Sequence, residues 1–120
     1  MAAPQSFEIQ TVEEIAVLAT AALLLKRPFT AVYHKCRRSL CPYVLGRSKS
    51  GDLRLLCYQY AGESTSGLKP AGSPENWRCI VLAKLRSVRL LDEDWVAIDT
   101  RLRPQTCIEK VLFDTEKLPA

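Results

Sequence analysis

Trp77-Arg78-Cys79-Ile80-Val81-Leu82-Ala83-Lys84-Leu85-Arg86-Ser87-Val88-Arg89-Leu90-Leu91 decides the fold class of this chain. Its run Cys79 to Ala83 is apolar at consecutive positions, the pattern of a central strand buried on both faces. Ser87 to Leu91 continues into another strand after a bend, and Asp92-Glu93-Asp94 closes it. Upstream, Leu53 to Tyr60 is rich in β-formers and reads as a strand. Gly46-Arg47-Ser48-Lys49-Ser50-Gly51-Asp52 before it is a turn, with glycines and small polar residues marking the reversal. Ser39 to Leu45 and Phe29 to Lys35 are two further strands, separated by the basic corner Lys35-Cys36-Arg37-Arg38. Downstream, Trp95 to Ile98 is expected to pack on the core, Thr100 to Gln105 to form a basic loop, and Cys107 to Phe113 to be the last strand. Ala61 to Asn76 is a long interruption rich in Gly, Ser and Pro. Segments of this kind are either ligand-ordered lids or loose tips between strands, and a loose tip is expected here.

One helix precedes the strands. Thr11-Val12-Glu13-Glu14 is a capping box, in which the threonine hydroxyl accepts from the Glu14 N–H and the Glu14 carboxylate reaches back to the Thr11 N–H. Val12, Ile15, Ala16, Ala19, Ala22 and Leu23 recur at helical spacing, and Leu18 and Leu25 widen the stripe, so cover on more than one side is expected. Pro28 ends the helix, because the residue before a proline is pushed out of the α region.

The bulk properties set the class. At 120 residues, 48% hydrophobic and 25% charged, the chain is one ordinary globular domain and not a disordered segment. A formal charge of +4 suits an anionic partner without demanding one. The five cysteines, Cys36, Cys41, Cys57, Cys79 and Cys107, are an odd number lying mostly in apolar runs. That argues for reduced, buried thiols in a cytoplasmic protein rather than a secreted disulfide scaffold. The N-terminus has no basic region leading into an apolar one, and the apolar run from Ile15 to Leu25 is too short to span a bilayer. No membrane association is expected.

The chemistry-bearing residues point away from catalysis. His34, Cys36 and Cys41 lie close in sequence, yet one histidine with no C-x-x-C spacing falls short of a structural zinc set. Cys36 beside Lys35, Arg37 and Arg38 has thiolate-favouring neighbours but no third member and no oxyanion hole. No phosphate-binding glycine loop joins a strand to a helix. The expectation is therefore no enzyme, no metal and no cofactor. The basic residues are more informative. Arg37, Arg38, Arg47, Lys49 and Arg54 fall in the first hairpins, and Arg78, Lys84, Arg86 and Arg89 in the later strands. Arginine forks match phosphate geometry, and Tyr43, Tyr58, Tyr60 and Trp77 lie among them as stacking groups.

The order of these features resembles the WYL-domain family. A helix leads to a short strand and Leu40-Cys41-Pro42-Tyr43-Val44-Leu45-Gly46. The turn Gly51-Asp52-Leu53 then feeds Leu55-Leu56-Cys57-Tyr58-Gln59, and Arg78-Cys79-Ile80-Val81-Leu82-Ala83-Lys84-Leu85 precedes Val88 and Leu91-Asp92. The resemblance covers roughly Thr11 to Trp95. The triplet that names the family stands here as Leu55-Leu56-Cys57, and Ile80 occupies the later aromatic position. The resemblance implies an Sm-like β-barrel and a ligand-sensing module for nucleotides or nucleic acid, with Arg78 and Lys84 matching the family's basic positions and Tyr58 just past the triplet. Such domains usually accompany a DNA-reading helix-turn-helix, whereas this chain has one clear helix and reads as the sensor barrel alone.

The expectation is thus a mainly β domain with one N-terminal α-helix, a small Sm-like β-barrel. Residues 1–10 are a tail, 11–95 the helix and barrel, and 96–120 a C-terminal extension packed on the same domain. The expected function is a regulatory module binding an anionic ligand, a nucleotide or single-stranded nucleic acid, through Arg78, Lys84, Arg38 and Arg47, with Tyr58 stacking on it. The alternative is a structural protein that forms a homo-oligomer or docks a protein partner.

Overall fold

A computed structural model describes residues 10–65, 67–70, 72–95 and 107–115. Over these residues the chain is mainly β, with one α-helix and a six-stranded antiparallel sheet. Helix α1 spans Val12–Leu25, and the strands are β1 Phe29–Tyr33, β2 Cys36–Arg47, β3 Leu53–Gly62, β4 Trp77–Val81, β5 Arg86–Leu90 and β6 Lys110–Asp114.

The capping box forms as its sequence dictates: the Glu14 N–H donates to Thr11 Oγ1 at 3.1 Å and the Thr11 N–H to Glu14 Oε1 at 3.3 Å. The helix ends before the proline takes effect. Lys26 adopts the left-handed conformation and its N–H closes onto the Ala22 and Leu23 carbonyls, the usual chemistry of a helix C-terminus. Ile15, Ala19, Ala22 and Leu23 are buried against the sheet. The expected cover on more than one side is absent among the described residues, with Val17, Leu24 and Leu25 exposed at 68%, 52% and 61%. Leu24 and Leu25 suit an exposed helical face because leucine is a strong helix former.

The strand order is β4-β3-β2-β1-β5, with β6 also on β2. β2 pairs with β3 along one edge, while its other edge is shared by β1 over Cys36–Leu40 and β6 over Val44–Arg47. Pro42 is tolerated in this strand because the register slips between Pro42 and Val44. The same slip sends Tyr43 and Val44 together to one cluster and returns Leu45 to the other. One face of the sheet thus carries Phe29, Ala31, Leu40, Leu55, Cys57 and Ile80 against α1. The opposite face carries Cys41, Tyr43, Leu56, Tyr58 and Trp77, packed on Trp95, Cys107 and Ile108.

The sheet is strongly curled. β4 and β5 lie at opposite ends of the strand order with three strands between them, which would set them about 19 Å apart in a flat sheet. Yet the short 3-10 turn Leu82–Lys84 connects them. The Tyr33 hydroxyl on β1 accepts from the Val81 N–H on β4 at 3.1 Å, a bond only a curled sheet permits. The described strands nevertheless form an open path and not a closed barrel. Two expectations change accordingly. Trp77–Val81 is an edge strand rather than a central one, and its apolar run ends in the 3-10 turn. Its outward Cys79 is covered instead by a covalent bond, since Cys79 and Cys107 are joined in a disulfide with Cα atoms 6.2 Å apart. The expectation of five reduced thiols fails there, and with it the thiol argument for a reducing compartment. Cys36, Cys41 and Cys57 remain unbridged, the last two buried. Burial, with Cys41 beside it, pushes the Cys57 thiol well above its usual pKa. No helix among the described residues is long and apolar enough to cross a membrane.

Candidate anion-binding site

The alternation of side chains along a strand places Arg38 on the same face as Leu40, Gln59 on the face of Leu55 and Cys57, and Arg78 on the face of Ile80. These three residues therefore extend the α1-facing core and terminate it with polar groups. Registers Leu40↔Gln59 and Cys57↔Arg78 bring them together from β2, β3 and β4.

Gln59, fully buried, is the centre of the arrangement. Its Oε1 accepts from Arg38 Nη1 at 3.2 Å and from Arg78 Nε at 3.1 Å. Its Nε2 donates to the Ala61 and Glu63 carbonyls at 3.2 and 2.8 Å. Arg38 is 4% exposed, donates from Nε to the Tyr33 carbonyl at 3.3 Å, and lies over the Tyr33 ring at 5.4 Å. Arg78 donates from Nη1 to the Glu75 carbonyl at 2.6 Å and from Nη2 to Ser64 Oγ at 3.3 Å. Neither guanidinium has a carboxylate partner among the described residues. Desolvation, followed by repulsion from Arg38, lowers the Arg78 pKa. Two like charges meeting on one neutral amide oxygen favour an anion beside them.

The same residues order the long segment after β3. Besides Arg78 and Gln59, the buried Asn76 donates to the Lys69 and Pro70 carbonyls at 2.9 and 3.2 Å and accepts from the Lys69 N–H at 2.9 Å. The loose tip expected between Ala61 and Asn76 is thus pinned in its described parts, because polar side chains at its two ends satisfy its backbone.

The five residues singled out from sequence do not share one site. Arg38 and Arg78 converge. Lys84 is exposed on the 3-10 turn, beside a separate hollow lined by Val32, His34, Lys35 and Arg86. Arg47 lies nine residues beyond Arg38 on β2, about 30 Å of strand, with its Nη1 on the Gly51 carbonyl at 2.9 Å. Tyr58 is 1% exposed, its ring against Trp77 at 5.2 Å and its hydroxyl donating to the Ser73 carbonyl at 2.8 Å, so it offers no face to a base. Its strand position was visible in sequence, but which face the second cluster would cover was not. Sequence reasoning missed Gln59 and Asn76. The detectable signal for Gln59 was an amide alternating with Leu55 and Cys57 on a core-facing stripe. Thr100 to Gln105 and most of Trp95 to Ile98 lie outside the described residues.

Compared with known protein families, with curated proteins and with solved structures, the chain finds no match in any of the three.

Proposed function

We propose that this chain is a regulatory binding module whose Arg38–Gln59–Arg78 cluster holds an anionic ligand, a nucleotide or a short single strand of nucleic acid. One observation carries the reading: two guanidiniums share a single amide acceptor at 3.2 and 3.1 Å, with no carboxylate between them among the described residues. Burying positive charge without a counter-charge is unfavourable unless something supplies one. A phosphate set against the exposed edge of Arg78 would accept from its fork and relieve its repulsion from Arg38. The curl of the sheet, the helix across its inner face and the short β4–β5 connection support an Sm-like, WYL-related domain as the scaffold.

The test is a titration of the full chain with labelled oligonucleotide and with a nucleotide panel at two salt concentrations. Affinity should fall as salt rises, through counterion release. Arg78→Gln should weaken binding and flatten the salt dependence, because it removes one phosphate contact while keeping hydrogen-bonding capacity. Flat traces at low salt would sink the proposal. The exposed stripe Val17, Leu24 and Leu25 on α1 favours a second reading, a homo-oligomer or protein-docking module. Light scattering separates the two: a strict monomer that binds nucleotides removes the second.

A further inference from the structure

The β1–β2 hairpin turns on His34 and Lys35, whose φ values of 50° and 63° both lie in the left-handed region. Two-residue hairpins of this twist ordinarily use Asn-Gly or other small residues, because a side chain there is disfavoured. Here the turn carries two basic side chains instead, and both are exposed. They face the 3-10 turn on the other side of a hollow of about 270 Å³ lined by Val32, His34, Lys35, Lys84 and Arg86. No carboxylate lines it, and none of its four basic side chains has an ion-pair partner among the described residues. Arg86 is held in place by the 3-10 turn, its Nη1 donating to the Ala83 and Leu85 carbonyls at 3.0 and 2.8 Å.

This hollow adjoins the Arg38–Arg78 cluster through one residue. The Tyr33 ring lies 4.2 Å from the His34 ring and carries Arg38 at 5.4 Å. Lys35 in the turn precedes Arg38 on β2 by three residues in the chain. We propose that the hollow between the hairpin tip and the 3-10 turn is a second phosphate site, so that the preferred ligand is a short single strand whose backbone reaches from Arg38–Arg78 over the hairpin to Lys35 and Lys84. The inference rests on the anion-binding reading of the first cluster and adds the ligand's form: at least two phosphates on one strand rather than a single nucleotide.

The experiment compares a thymidine mononucleotide with a short oligothymidylate on the full chain, using the wild type, Lys35→Gln/Lys84→Gln and Arg78→Gln. Both lysines are exposed, and glutamine removes the charge while keeping a flexible polar side chain, so the fold should survive; melting curves check it. At about 50 mM salt the oligonucleotide should bind the wild type at least about tenfold more tightly than the mononucleotide. The double lysine variant should lose that advantage and reduce the salt slope by about 1.4, two single-strand contacts' worth, while binding the mononucleotide within about twofold of wild type. Equal wild-type affinity for the two probes overturns the inference, as does an unchanged oligonucleotide affinity and slope in the lysine variant. If those results come with Arg78→Gln still weakening both probes, the first site stands and only the second falls. If neither probe binds at low salt, both readings fall.

Discussion

Gln59→Leu is the most demanding test of the polar end of the core. The side chain is fully buried and makes four hydrogen bonds, two from guanidiniums at 3.2 and 3.1 Å and two to carbonyls at 3.2 and 2.8 Å. Bonds involving a charged group contribute about 1.5–3 kcal/mol each and neutral ones about 0.5–1.5, giving a ceiling of about 4–9 kcal/mol. The realised loss is smaller. Arg78 is only partly buried and regains water, and bonds made by one side chain do not add. Arg38, at 4% exposure, has no such escape and keeps a large share of the penalty. The expected loss is about 3–4 kcal/mol in urea unfolding, with the m-value unchanged. At about 2.1 cal/mol/K per residue, a chain of 120 residues should melt about 12–16 °C lower. In a double-mutant cycle with Arg78→Gln the two losses should not add, since the Arg78 Nε has already lost its acceptor. A loss below about 1 kcal/mol, or full additivity, would refute the claim that Gln59 organises the two arginines.

Other outcomes are as specific. Cys79→Ser/Cys107→Ser should cost about 3–4 kcal/mol by chain entropy for a separation of 28 residues. Thiol counting on the untreated wild type should find Cys36 reacting first, Cys41 and Cys57 reacting only on unfolding, and five thiols only after reduction; five without reductant would contradict the bridge. Gly46→Ala should detach β6, because a Cβ there overlaps the Lys110 carbonyl and the Ile108 side chain; hydrogen exchange across residues 110–114 should rise while β1 stays protected. Tyr60 has its pKa pushed up to about 12 by burial, with the nearby Glu93 adding to it. Its folded value exceeds the unfolded one of about 10. That contribution is fully present below about pH 10 and is lost as pH rises through about 12, so Tyr60→Phe should flatten the fall in stability over that window.

Neighbours along the chain are enough to decide the local elements of this fold. The Thr11–Glu14 capping box closes within one turn, so reading it required no tertiary knowledge. The strands and the turn around Gly51 follow from alternation and turn chemistry, and their boundaries moved by only a few residues. Tertiary structure decided everything that depends on which strands meet and in what register. Arg38, Gln59 and Arg78 come from three strands, and a slip of one residue in any of them would turn its side chain to the other face. The slip at Pro42–Val44 chose the face that Tyr43 takes, and the β2–β3 and β3–β4 registers chose which arginines converge. The pairing of Cys79 with Cys107 likewise arose from the return of β6 to β2, a contact that no count of cysteines contains. Composition established that the chain carries an excess of positive charge. Only the pairing of β2, β3 and β4 in their observed registers gathered two of those charges onto one buried amide, because that meeting is set by long-range strand pairing and not by any local preference.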